Sequence, residues 1–369
     1  MFQGRDSKRN RTAFVDRRHW LAIVSGMFGL AYGSRVVGSG SVRPVEIKPV
    51  ADGSFEPKVF EHLGYRILGY LPKGKSESPV PIAFLFGGNG MGAVVRSVQA
   101  DQLARDLTQL GVAAVIVNYP NLTSAADMIR RIIDPMVDVL SSSWAKQNRI
   151  DGSRIGAAGF SAGGLIATLL ATRYRDILPF RLRSALNFYG PVDLRQWFVF
   201  HAARAESADA ESIDPRFRGL RGPFETGHSP HGTIVCRELS RSVRAKVAEN
   251  IGGLTPGKLT AFSEPKIWDA PDSFEKPADS PSNPRLVGAF GTRDDNCDSV
   301  FQPKLLRRLG VLHSLDAFPF VYDGPHGVSW RACPQALDRF LEPLWRDASA
   351  PGSNIAALEA HRAGKRITS

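Results

Sequence analysis

The chain has few cysteines: three in 369 residues, Cys236, Cys297 and Cys333. No pair has the C-x-x-C spacing that a structural zinc site uses. Long apolar runs are missing as well. The stretch Trp20 to Ala31 is too short to cross a bilayer, which takes about 20 apolar residues. No internal repeat is visible, so solenoids and propellers are excluded. The net charge is +11, yet there is no dense run of Lys and Arg. Diffuse charge of this kind favours solubility and is no phosphate-binding footprint, so no nucleic-acid partner is expected. What remains is 43% hydrophobic and 22% charged, the composition of a globular protein with a sizeable core.

The first 34 residues read as an address. A basic start (Arg5, Lys8, Arg9, Arg11) leads to Arg17-Arg18, and the apolar run to Ala31 follows. This order resembles a bacterial twin-arginine export signal, with cleavage expected after Gly33. A periplasmic or secreted protein is predicted, with no stable membrane span once the signal is removed. The alternative is attachment to a membrane surface through an uncleaved N-terminus.

The domain expected over residues 35–345 opens with short strands broken by Pro and Gly. From residue 81 the texture alternates. "PIAFLF", "VAAVIVN", "RIGAAGF", "RSALNFYG", "PRLVGAF" and "DAFPFVYD" are short apolar runs with the look of buried strands. Helical patterns separate them, including "AVVRSVQADQLARDLTQLG" and one expected to bend or restart at Pro135. Alternation predicts an α/β fold: a mostly parallel central sheet with helices on both faces. A segment rich in Pro, Gly and charge, about 195–284, interrupts it as a lid-like insertion. Its aromatic residues suit either a substrate pocket or a small satellite core. Residues 346–369 read as a C-terminal tail.

Loops at the C-terminal ends of parallel strands collect chemistry. Here they carry, in chain order, Gly87-Gly88-Asn89-Gly90, then Ser161, then Asp294-Asp295, then His326. A serine hydroxyl is a poor nucleophile until an imidazole takes its proton. A carboxylate must fix the tautomer of that imidazole and stabilise its cation. An oxyanion needs preorganised N–H donors, which Ala162 and the Gly88–Asn89 loop are placed to supply. The bland reading of Ser161 is a helix N-cap. His228 and His231 lack a third ligand of obvious spacing, so no metal is expected, and no organic cofactor either.

With "GFSAGG", "YGPVD", "GTRDD" and "HG" in place, the chain resembles the α/β-hydrolase superfamily. Within it, the motifs are most similar to the dienelactone-hydrolase-like, carbohydrate-ester and feruloyl esterases. The resemblance covers roughly residues 60–345. Dienelactone hydrolases proper use a cysteine nucleophile where this chain has Ser161, and the leading histidine of the usual oxyanion loop is replaced by Phe86-Gly87. The G-x-x-D spacing of Gly291 to Asp294 matches the superfamily pattern and favours Asp294 as the acid. Asp295 and Asp193 are the alternatives. Cys297 and Cys333 lie close in sequence to the acid and the histidine, so a Cys297–Cys333 disulfide is predicted to clamp the two loops. The resemblance implies a serine hydrolase acting on a small or polymer-linked carboxylic ester. A peptidase or amidase of the same fold, or a non-catalytic binding protein, are the competing expectations.

Overall fold

The computed structural model describes residues 57–73, 78–206, 232–271, 283–294, 296–297, 299 and 301–345. The predicted export segment and the C-terminal tail lie outside these residues, as do Asp295, His228, His231 and much of the insertion.

Eight strands form one sheet in the order β1-β2-β4-β3-β5-β6-β7-β8. β1 (Lys58–His62) and β2 (Tyr65–Tyr70) make an antiparallel hairpin, and β2 runs antiparallel to β4 (Ala113–Val117). The remaining pairings are parallel: β3 (Val80–Phe86) with β4 and with β5 (Ile150–Phe160), then β6 (Leu182–Phe188), β7 (Arg285–Arg293) and β8 (Ala317–Pro325). Each of the six predicted apolar runs supplies one of these strands. Every residue of β3 and β4 is buried, because helices cover both faces.

Alternation along β3 divides the core. Ile82, Phe84 and Phe86 pack into one layer, and Ala83 and Leu85 into the other. The helix after β3, α1 (Val98–Gln109), starts later than the apolar pattern suggests: Val95 is 76% exposed and Ser97 caps the helix by accepting from Ala100 N–H. The next helix does restart at Pro135. α2 (Ala125–Met128) passes through a π-helical turn, Ile129–Ile133, into α3 (Asp134–Ser141), with Pro135 in its first turn where a missing N–H costs nothing. A short α4 (Ser143–Gln147) leads to β5.

α5 (Ala162–Ala171) follows β5 directly and is buried at every residue. The insertion contributes α6 (Leu194–Glu206), α7 (Gly232–Asn250) and α8 (Pro256–Ala261). α9 (Phe301–His313) and α10 (Pro334–Trp345) complete the helices that flank β8. Among the described residues no helix is long and apolar enough to cross a membrane.

Most of the described aromatic residues of the insertion are core. Phe198, Phe200 and Phe262 are buried, and Phe200 stacks on Phe301 of α9. Of the aromatic residues described in this segment, only Trp197 also lines the pocket described below.

Candidate active site

Ser161 stands between the end of β5 and the start of α5 with φ 52° and ψ −123°. An L-residue stays in that region only when its surroundings hold it there. Its N–H donates to Phe188 O (2.9 Å), and its carbonyl accepts from Gly164 N–H (2.8 Å) and Leu165 N–H (3.3 Å). The turn is too tight for side chains nearby. A Cβ on Gly163 would lie 2.2 Å from Phe86 O, and one on Gly159 would lie 2.0 Å from Gly163 O. The two glycines flanking Ser161 in the sequence are therefore demanded by crowding. Ser161 makes no N-capping side-chain bond to α5. Its hydroxyl turns instead toward His326, with Oγ 3.0 Å from Nε2.

The other ring nitrogen, Nδ1, lies 3.0 and 2.9 Å from the two carboxylate oxygens of Asp294. The Asp294 side chain is completely buried, while His326 retains some exposure. An ionised Asp294 accepts the Nδ1 proton, which leaves the Nε2 lone pair to accept from the Ser161 hydroxyl. Asp294 Oδ1 also accepts the backbone N–H groups of Asn296 and Cys297, both at 2.8 Å. These bonds hold the carboxylate in place.

A second tier holds the acid loop from α6. Asn296 O accepts from Trp197 Nε1 (2.7 Å) and pairs with His201 Nε2 (2.9 Å). His201 is fully buried, and its Nδ1 pairs with Ser240 Oγ of α7 at 3.1 Å. Tyr189, at φ 42°, presents its ring edge to His326 with centroids 4.8 Å apart. The Tyr189 hydroxyl is buried, and burial together with the nearby Asp294 carboxylate pushes its ionisation well above the ordinary phenol range.

The loop after β3 passes directly beside Ser161. A Cβ on Gly88 would fall 2.5 Å from Ser161 Cβ, so only glycine fits. The buried Tyr119 hydroxyl donates to Gly87 O (2.5 Å), and Asn89 Nδ2 donates to Ala93 O (2.9 Å). From α7, Asn250 Nδ2 reaches across to donate to Gly90 O (2.9 Å) and Asn89 O (3.3 Å). Ala162 opens α5, where a first-turn N–H has no partner within the helix. Gly88 and Ala162 thus both lie beside Ser161.

A pocket of about 170 Å³, open to solvent, adjoins Ser161 and His326. Its walls are mostly apolar: Met91, Leu194, Trp197, Val243 and Val247.

Two sequence expectations are corrected. Asp193 does not approach His326. It is 1% exposed and serves as a cap, accepting from Gln196 N–H (2.8 Å) at the start of α6 and from Glu264 N–H (2.6 Å). Burial raises its carboxyl to about 6 despite those two bonds. The Cys297–Cys333 disulfide does not form, and both residues are buried thiols. Cys297 packs in one core cluster and Cys333 in another. The backbones leading to the acid and the histidine are themselves paired, Arg293 with Pro325, so the difference lies in where the two thiols pack. The Cys297 sulfur instead sits within 4.8 Å of the nearest ligand-type atoms of Asp294 and His326.

Sequence reasoning missed Trp197, His201 and Asn250 as supports of the site. The spacing of Trp197 and His201, four apart on one helical face, was the available signal; Asn250 left none.

No family model matches the chain. A curated relative, the non-reducing polyketide synthase Preu6 of Preussia isomera, is 27% identical over 135 residues, 34% of this chain; the match spans 6% of that protein's length. Among solved structures, DphMB1 superposes with a TM-score of 0.50 at 19% identity, covering 87% of this chain and 89% of its own. The esterase Est2 of Thermogutta terrifontis gives a TM-score of 0.49 at 12% identity, over 80% of this chain and 95% of its own. Strand order, the turn at Ser161 and the likeness to DphMB1 together give the chain an α/β-hydrolase fold.

Proposed function

We propose that the chain is a serine hydrolase that cleaves a carboxylic ester through an acyl-enzyme on Ser161. The observation that carries this reading is the unbroken contact chain from Ser161 Oγ to His326 Nε2, and from His326 Nδ1 to Asp294. His326 takes the hydroxyl proton as Ser161 Oγ attacks the ester carbonyl. Asp294 stabilises the imidazolium so formed. The N–H groups of Ala162 and of the Gly88–Asn89 loop receive the oxyanion, a contribution typically worth about a hundred- to a thousand-fold in rate per donor. The imidazolium then returns its proton to the leaving alcohol. Water repeats the sequence to free the acid, with His326 again as base.

Labelling of the purified protein by a fluorophosphonate tests this. Stoichiometric labelling is expected, with loss in Ser161→Ala and His326→Ala. Asp294→Asn is expected to lower kcat on a 4-nitrophenyl ester by about 10³- to 10⁴-fold, because the wrong tautomer is then favoured. A folded wild type that neither labels nor hydrolyses any ester would leave a non-catalytic binding protein on the same fold.

A further inference from the structure

The pocket beside Ser161 is mostly apolar, its polar lining being Ser161, Asn296, His326 and Lys246. Val243, Lys246 and Val247 of α7 all line it, three residues spaced so that they share one helical face. Among the described residues lining the pocket there is no Asp or Glu, and Lys246 is the one Lys or Arg. The Lys246 side chain is exposed and makes no hydrogen bond or ion pair with any described residue. A cation whose only role was solubility would serve equally well on the outer face of the helix. Here the helix is oriented by specific bonds at mid-length and at its last residue: Ser240 meets His201, and Asn250 holds Gly90 O and Asn89 O. Val247 packs at the glycine-rich loop 87–90, where a Cβ on Gly90 would contact its Cγ2 at 3.3 Å. Lys246, one residue before it, is therefore carried to the pocket by the same anchoring that shapes the loop.

We infer that the pocket takes an amphiphilic anion: an ester with an apolar body and a carboxylate or similar acidic group remote from the scissile bond, recognised by Lys246. This assignment rests on the serine-hydrolase reading for its reaction, but not for its binding. Apolar contact with Met91, Leu194, Trp197, Val243 and Val247 buries the chain of the substrate, and the ammonium of Lys246 meets the acid at the mouth. A partly solvated charge pair at contact distance is modest in strength and screened by salt, so the selectivity expected is roughly five- to tenfold at low ionic strength.

Two measurements on the full chain test it. The first compares kcat/KM for 4-nitrophenyl butyrate and for mono-4-nitrophenyl glutarate, normalised to sites titrated by fluorophosphonate. The ratio should favour the glutarate in the wild type, fall about five- to tenfold in Lys246→Met, and invert in Lys246→Glu; the wild-type preference should shrink at high salt. The second, calorimetric binding of hexanoate against 1-hexanol, needs no turnover. Hexanoate should bind more tightly to the wild type, and the order should reverse in Lys246→Glu. A ratio and a binding order unchanged across the three proteins would overturn the assignment while leaving the hydrolase intact. Absence of labelling together with Lys246-dependent preference for hexanoate would do the opposite: the pocket would stand and the hydrolase reading would fall.

Discussion

At the scale of single residues the site depends on two conformations that isolated chains avoid. Ser161 at φ 52° and Tyr189 at φ 42° both lie where non-glycine residues are rare. Each such residue costs on the order of 1–3 kcal/mol, offset here by surrounding backbone bonds, from Ser161 N–H to Phe188 O and from Tyr189 N–H to Ala289 O. Asp193 shows a different kind of cost. Its carboxyl is raised by burial from an ordinary 3.8 to about 6, so the folded chain holds this proton more tightly than the unfolded one. The resulting stabilisation is complete below about pH 3.8 and is lost as pH rises through about 6. Urea unfolding at pH 4, 5, 6 and 7 should show the stability of wild type relative to Asp193→Asn declining across that window. A constant difference would mean that Asp193 titrates normally.

At the scale of elements, α6 acts as the splint of the acid loop. Trp197 and His201 converge on one carbonyl, Asn296 O, whose own N–H is aimed at Asp294. His201→Ala should strand the Ser240 hydroxyl in a buried site and cost about 1–3 kcal/mol of stability. Its effect on turnover should fall on kcat, by about tenfold, with KM little changed, and His201→Gln should recover part of it. A change confined to KM would assign His201 to binding instead. The elements differed in how much their sequence disclosed. β3, β4 and β5 were legible because burial on both faces leaves continuous apolar runs between glycines. The Ser161 turn was legible because crowding excludes side chains at Gly159 and Gly163, which leaves a spaced glycine signature. The supports from the insertion were not. Their partners lie some 40 to over 150 residues away, and no local periodicity encodes such contacts. The start of α1 was misplaced for a related reason: Val95 and Val98 fit the apolar pattern yet face solvent.

At the scale of the molecule, one sheet gathers the glycine-rich loop 87–90, Ser161, Asp294 and His326 from the ends of β3, β5, β7 and β8. The order of these loops was readable from the chain, whereas the direction of each side chain across the sheet was not. The cysteines show the difference. Cys297 and Cys333 follow loops that meet, yet pack in separate core clusters, and both are buried thiols. Peptide mapping without reductant should contain no 297–333 cross-link. Both thiols should resist iodoacetamide in the native protein and react only after unfolding, so their modification rates report global opening. Rapid native labelling of either would contradict the packing.

The bond from Asn250 to the carbonyls of residues 89 and 90 bears on how this protein could be rebuilt. A cap that merely rested on the sheet would be an exchangeable part, replaceable by grafting to alter specificity. Here the last residue of the cap helix is also a fastener of the loop that would cradle the oxyanion, so a graft ending before residue 250 would change the engine along with the hood.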